Sequence, residues 1–258
     1  MKLKFDKYQG TGNDFIIIDN RNTHFDKNNI ELVQQLCDRK FGIGSDGLIL
    51  IETHTEWDFN MVFFNPDGSQ SFCGNGSRCA VAFAKELGLI SDFAKFNSTD
   101  GYHEASIISN GLVKLKMHSV SNIEVSESHH YMDTGSPHYN CFEKNIESID
   151  VVARGREIRY NERFKEIGTN VNFIEHLPNG IKVRTYERGV EDETLSCGTG
   201  VTACALSTAL VSKAPSGEIK VSTTGGDLSV SFVQIEGGFE DVWLIGPTKF
   251  VFNGEIEV

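Results

Sequence analysis

Cys73 and Cys197 each head a similar string, CGNGSRCA and CGTGVTACA: a thiol, a Gly-x-Gly turn, then small apolar residues of helical character. A turn that opens a helix leaves backbone N–H groups unpaired and carries partial positive charge, and both features favour a carboxylate or a thiolate. A free thiol titrates near about 8.5, so a helix start is where a fraction of it can ionise at neutral pH. One sulfur can then be a base and the other an acid. Taking a proton from one face of a carbon and returning one to the other inverts a stereocentre, and the two groups must start in opposite protonation states. The N–H groups of Gly74 and Asn75 on one side, and of Gly198 and Thr199 on the other, would hold the reacting carboxylate and stabilise charge developing as the α-proton leaves. A lone cysteine in such a place reads better as a small buried cap. Two copies, each followed by Gly-x-Gly, reverse that preference.

Position 197 lies 124 residues beyond position 73, close to half of the 258-residue chain, which predicts two halves of one duplicated pattern. Hydrophobic periodicity predicts strands over 3–8 and 14–19, a helix over 30–38, strands over 48–51 and 57–64, and a motif helix over 75–87 stopped by Gly88. Strands over 95–96, 103–108 and 112–118 follow. The second half repeats the order: strands over 123–126 and 131–134, a helix over 151–161, strands over 170–176 and 181–187, and a motif helix over 199–212 ending before Pro215. Strands are then expected over 219–223, 228–235, 242–245 and 250–252. Both motif helices read as apolar on nearly every face, which predicts helices wrapped by sheet. The expected class is α+β, with two pseudo-symmetric domains, each a curled, mostly antiparallel sheet around a central helix. The repeat places them at 1–119, with the strand at about 248–258 a candidate to return to it, and at 120–247.

A net charge of −12 and no Lys/Arg stripe argue against nucleic acid and anionic membranes as partners. No apolar run reaches membrane-spanning length and positions 1–10 lack a signal core, so a cytoplasmic location is expected. Six cysteines without a Cys-x-x-Cys pair argue against a disulfide framework or a zinc ribbon and for reduced thiols. Cys37, Cys79 and Cys204 fall in helices as core residues, and Cys141 has no assignment. The Gly-x-Gly segments lack the third glycine and distant acid of a dinucleotide site, and no pyridoxal fingerprint is present. No cofactor and no metal are expected.

The motifs GTGNDF (10–15), FFNPDGSQSFCGNGSRC (63–79), GSPH (135–138), GTNVNF (168–173) and YERGVEDETLSCGTG (186–200) resemble those of the diaminopimelate epimerases, in family order and across the whole chain. The resemblance implies a PLP-independent isomerase of lysine and cell-wall precursor biosynthesis, interconverting LL- and meso-2,6-diaminopimelate, with dimerisation suggested by the family. It assigns Cys73 and Cys197 as the catalytic thiols, with His138 and Glu187 supporting them. Asn13, Asn65, Asn170 and Arg188 would hold the distal end of the substrate, with Glu187 also in contact, and Gly74, Asn75, Gly198 and Thr199 the reacting carboxylate. The chain departs from many members at Ser136, where they have Asn, at Gly47, where they have Gln, and in a loop one residue longer before Cys197.

Read without the family, several of these residues are ordinary. Asn13 and Asn65 suit turns, Asn170 opens an apolar strand, and His138 is one of eight histidines. Arg188 offers a planar fork for a carboxylate, or a surface ion pair with Glu187. Proline racemases and hydroxyproline epimerases also pair two cysteines, but a proline site needs fewer polar partners than a second amino-acid head. A phenazine-pathway isomerase uses a carboxylate where this chain has cysteine. A thiol redox or metal-binding protein would need more ligands than one thiol per motif.

Overall fold

The computed structural model describes residues 2–258 and divides into two compact units, one running to Leu115 and including Gly246–Val258, the other Lys116–Ile245. The first contains β1 (Lys2–Gly10), β2 (Asn13–Asp19), α1 (Ile30–Cys37), β3 (Gly47–Glu52), β4 (Phe59–Phe64), α2 (Gly74–Glu86), β5 (Phe93–Ser98), β6 (Gly101–Ile107) and β7 (Val113–Lys116). The second contains β8 (Val120–Ser121), β9 (Glu124–Val125), β10 (His130–Asp133), β11 (Pro137–Phe142), α3 (Val151–Arg159), β12 (Asn170–Leu177), β13 (Gly180–Glu187), β14 (Asp192–Thr194), α4 (Gly198–Ser212), β15 (Ser216–Thr223), β16 (Gly226–Ile235) and β17 (Gly238–Gly246). The last strand, β18 (Lys249–Glu257), pairs antiparallel with β1.

The duplication is explicit in the strand pairing. In the first unit β1 and β2 are antiparallel, β2 and β3 parallel, β3 and β4 antiparallel, β4 and β5 parallel, and β5, β6 and β7 antiparallel in turn. The second unit repeats that series with β10, β11, β12, β13, β15, β16 and β17. Each parallel pair is joined through a helix, as a parallel connection requires. The fold is thus α+β and pseudo-symmetric, with α2 packed on β1, β2, β3, β4 and β6, and α4 on β10, β11, β12, β13, β15 and β16.

Period-2 alternation supplies both faces of the central strands. Ile16, Ile18, Leu48, Leu50 and Phe64 meet Val33 and Leu36 of α1 in one core, while Ile49 on the opposite face approaches Gly76 of α2. In the second unit Val171, Phe173 and Tyr186 pack with Val151 of α3, and Gly155 is bare because a Cβ there would lie 2.4 Å from Tyr186. α4 tolerates burial on every side because its polar groups are small: Thr202, Thr208 and Ser212 donate back to the carbonyls of Gly198, Cys204 and Thr208.

The structure differs from the sequence expectation in several places. β11 was not anticipated, because its alternate positions carry buried His138 and Asn140 instead of apolar residues, and it gives Cys141 its place. The strand expected over 123–126 shrinks to β9, the expected short strand over 250–252 is nine residues long, and the segment before Cys197 forms a hairpin strand, β14. The motif helices begin at Gly74 and Gly198, and α2 is not apolar throughout, since Asn75, Ser77 and Arg78 are buried in it.

Both motif helices end in the same left-handed stop. After α2, Gly88 (φ 71°) donates to Lys85 O and Leu89 to Ala84 O; after α4, Lys213 (φ 53°) donates to Leu210 O and Ala214 to Ala209 O. The glycine adopts this conformation freely and the lysine does not. Gly88→Ala is expected to lower, and Lys213→Gly to raise, unfolding stability by about 1 kcal/mol, read as opposite shifts of the urea midpoint at constant m-value.

Candidate active site

Cys73 is the N-cap of α2, in extended backbone geometry (φ −135°, ψ 107°), and its Sγ accepts from Gly76 N–H at 3.4 Å. The same sulfur lies 3.8 Å from Asn13 Oδ1. Asn13 is held at the β1–β2 turn by donating to Asp46 Oδ2 at 2.7 Å, and its Oδ1 accepts from Asn75 Nδ2 at 3.3 Å. Asp46 and Asp14 share Arg39, and Asp14 also pairs with buried Lys7, whose ammonium additionally donates to Gly44 O. Burial alone would raise the Asp14 pKa, but hydrogen bonds from Arg39 and Lys7 outweigh it and hold the carboxyl below its ordinary value. Asn65 spends its side chain within its own turn, donating to Ser69 and Ser71.

Cys197 is the N-cap of α4 in the matching geometry (φ −115°, ψ 113°), with its Sγ 3.4 Å from Thr199 Oγ1. Behind it stands a network of buried neutral groups. Thr185 donates to Asn172 Oδ1, which turns Asn172 Nδ2 toward His138 Nδ1 (3.0 Å) and Asn140 Oδ1 (2.7 Å). The His138 proton therefore resides on Nε2, from which it is donated to Thr199 Oγ1 at 2.9 Å. The Thr199 hydroxyl, whose oxygen accepts from the imidazole, lies 3.4 Å from the Cys197 sulfur. Burial pushes the His138 pKa down to about 3, with the positive charge of Arg188 adding to the effect, so the ring is a neutral donor at physiological pH. Gly200 leaves room for this network, because a Cβ would lie 2.8 Å from Asn172 Oδ1.

At the end of β12, Asn170 donates to Ser136 Oγ and Pro137 O while its Oδ1 accepts from Arg188 N–H. The Arg188 guanidinium contacts Ile167 O and Ser136 Oγ and, among the described residues, pairs with no carboxylate. Glu187 accepts instead from Thr194 of β14. Gly168, at φ 81°, makes space for Arg188, since a Cβ there would lie 2.5 Å from its Cδ. Burial pushes Cys79 and Cys141 up to about 12 and raises Cys37 and Cys204, so these four thiols are inert.

Known proteins match this chain over nearly its whole length. The family model for diaminopimelate epimerase matches residues 5–123 and 130–251. The diaminopimelate epimerase of Flavobacterium psychrophilum is 48% identical over 98% of this chain and 100% of its own, and that of a Hydrogenobaculum species 42% over 96% of each. The chain belongs to the diaminopimelate epimerase family. Among solved structures, a phenazine biosynthesis protein of the PhzF family from Bacillus anthracis (TM-score 0.79, 15% identity, 100% of both chains) and a hydroxyproline epimerase from Agrobacterium vitis (TM-score 0.71, 15% identity, 99% of this chain and 92% of that one) share the fold.

Against that family pattern, the residues expected from sequence fall into two groups, one per unit. Asn13, Gly74 and Asn75 gather around Cys73; His138, Thr199 and Gly198 gather around Cys197, with Asn170 and Arg188 joined at Ser136. Arg188, for which the sequence left two readings open, contacts Ile167 O and Ser136 Oγ, while Glu187 accepts from Thr194. Ser136 is the shared acceptor of Asn170 and Arg188. Gly47 is explained by Phe63, whose ring would be 2.3 Å from a Cβ at that position. Asn172, Asn140 and Thr185 were missed, since buried neutral side chains inside strands carry no spacing signal, although alternate polar residues in NVNF hint at them.

The neutral histidine fixes a pH dependence. Below pH 6.5 the unfolded chain protonates this imidazole while the folded chain resists until about pH 3, so the unfolded state binds more protons and stability falls as pH drops through that window. His138→Gln is expected to reduce this acid loss, measured as a flatter dependence of the urea midpoint on pH between 6.5 and 4.

Proposed function

We propose that this chain interconverts LL- and meso-2,6-diaminopimelate, with Cys73 and Cys197 as the thiolate and thiol that act on opposite faces of one α-carbon. The observation that carries the reading is the repeated N-cap sulfur: in each unit a cysteine precedes Gly-x-Gly at the start of a helix buried by its own sheet. The first-turn N–H groups after each sulfur suit the carboxylate of an amino acid and stabilise the charge that grows on it as the α-proton leaves. The relatives named diaminopimelate epimerase support the substrate class.

Proton balance is closed by the two sulfurs. The thiolate takes the α-proton, the carbanion is held by the N–H groups, and the thiol delivers its proton to the opposite face, leaving the pair with exchanged protonation states ready for the reverse reaction. His138, kept neutral, orients Thr199 and through it the Cys197 sulfur. Arg188, without a carboxylate of its own, suits the carboxylate of the second amino-acid head, and Asn170 holds its backbone in place. Asn65 is placed to shape its turn and contributes through that loop. The work belongs to biosynthesis of lysine and cell-wall precursors in the cytoplasm.

In heavy water the protein should place deuterium at the α-carbon of LL-diaminopimelate, and Cys73→Ala and Cys197→Ala should each lower epimerisation at least about 100-fold. Absence of exchange in the unaltered protein would reject the function. Arg188→Met should lower kcat/KM about tenfold or more, and it should do so for diaminopimelate far more than for a substrate analogue lacking the distal carboxylate.

A further inference from the structure

Arg78 lies in the first turns of α2, with 0% of its surface exposed, and it is the largest fully buried side chain among the described residues. Its Nη2 donates to Asn75 Oδ1 at 2.9 Å and to Thr11 Oγ1 at 3.4 Å, its Nη1 to Gly74 O at 3.4 Å, and its Nε has no partner. None of these acceptors is a carboxylate. A guanidinium withdrawn from water normally takes a negative partner, because neutral acceptors compensate only part of the lost hydration.

The surrounding charges do not supply that partner. Lys7 and Arg39 face Asp14 and Asp46 in a cluster of two cations and two anions, which leaves no surplus negative charge. Asn13, between that cluster and the sulfur, is neutral, and Cys79, next to Arg78 on α2, is kept protonated by burial. Cys73 remains as the group that can become an anion. It caps the same helix, and Arg78 grips both residues that follow it, Gly74 by its carbonyl and Asn75 by its amide. The Gly76 N–H serves the sulfur in either protonation state.

The other motif helix lacks this charge. Aligned on the cysteines, Arg78 corresponds to Thr202, a neutral hydroxyl that donates to Gly198 O at 3.0 Å. Cys197 lies beside the Thr199 hydroxyl, itself backed by a neutral imidazole. Two half-sites alike in fold therefore differ, directly behind the sulfur, by one buried cation with no acid partner among the described residues.

We propose that Arg78 is a positioning residue and the buried counter-charge of the Cys73 sulfur, so that in the resting protein Cys73 carries the negative charge of the thiol pair and Cys197 the proton. The consequence for catalysis rests on the epimerase reading, but the asymmetry itself is measurable without any substrate. Burial draws the Arg78 pKa down to about 10, which leaves it cationic through the neutral range.

The test is alkylation by iodoacetamide from pH 6 to 9, with Cys73 and Cys197 quantified separately by peptide mass spectrometry and no diaminopimelate present. In the unaltered protein Cys73 should label about tenfold faster than Cys197 at pH 7. Arg78→Met should slow Cys73 about tenfold and move its profile to higher pH without moving that of Cys197, and Arg78→Lys should restore most of the rate. Faster labelling of Cys197 in the unaltered protein, or a Cys73 profile indifferent to Arg78→Met, would overturn the proposal. Because Cys73 is also the more exposed of the two sulfurs, the pH midpoints of the two profiles are compared as well, with that of Cys73 expected to be the lower; this needs no variant, so it decides even if Arg78→Met does not fold. Deuterium exchange that proceeds normally beside an indifferent profile would reject this inference and leave the epimerase reading intact.

Discussion

A helix can offer its first turn to a ligand only if the rest of it is locked in place, and burial by a surrounding sheet is how this chain locks α2 and α4. The N–H groups of a helix start are unpaired by construction. On a frayed surface helix, water takes them and the partial charge is screened. Inside a sheet they keep one direction, and a sulfur at the N-cap shares it. The requirement reaches into composition: alanine, glycine, serine, threonine and cysteine dominate α4 because larger side chains would push the strands away. It also explains Gly76 and Gly200, where a Cβ would crowd Ile49 in one unit and Asn172 in the other.

The same frame handles polarity in two ways. Around Cys197 the buried polar groups described above are neutral and satisfy one another: Thr185 turns Asn172, Asn172 sets the His138 tautomer, and His138 holds the Thr199 hydroxyl. A single proton placement follows from the network, and burial keeps the histidine neutral. Around Cys73 the unit instead encloses charge, with Lys7, Asp14, Arg39 and Asp46 balanced among themselves and Arg78 unbalanced. The two units repeat one architecture and differ in a few side chains behind each sulfur.

What could be read from the chain follows from what leaves a local trace. The two thiols, their Gly-x-Gly turns, the repeat and the stop at Gly88 are all encoded within a few residues, and each appears where it was expected. β11 was invisible because its inward positions are His138 and Asn140, which break the apolar alternation that reveals a strand. Arg78 leaves no such trace for a related reason: an arginine in a helix reads as exposed, and only the surrounding sheet makes it buried. The meaning of Gly47 required Phe63, a residue from the neighbouring strand, since the empty space at one position is defined by the side chain of another.

Fold alone does not select the reaction. The PhzF-family protein and the hydroxyproline epimerase share the architecture at 15% identity, so the fold is common to differently named proteins. Selection must come from the groups that the strand ends present. Here Asn170 fixes the Arg188 backbone and Ser136 at once, Gly168 clears the path of the arginine stem, and the guanidinium is left with a carbonyl and a hydroxyl as its neighbours. Among the described residues no carboxylate stands against this guanidinium, whose planar fork suits one. That favours a ligand with a carboxylate remote from the reacting carbon over a compact cyclic amino acid, which has none to offer.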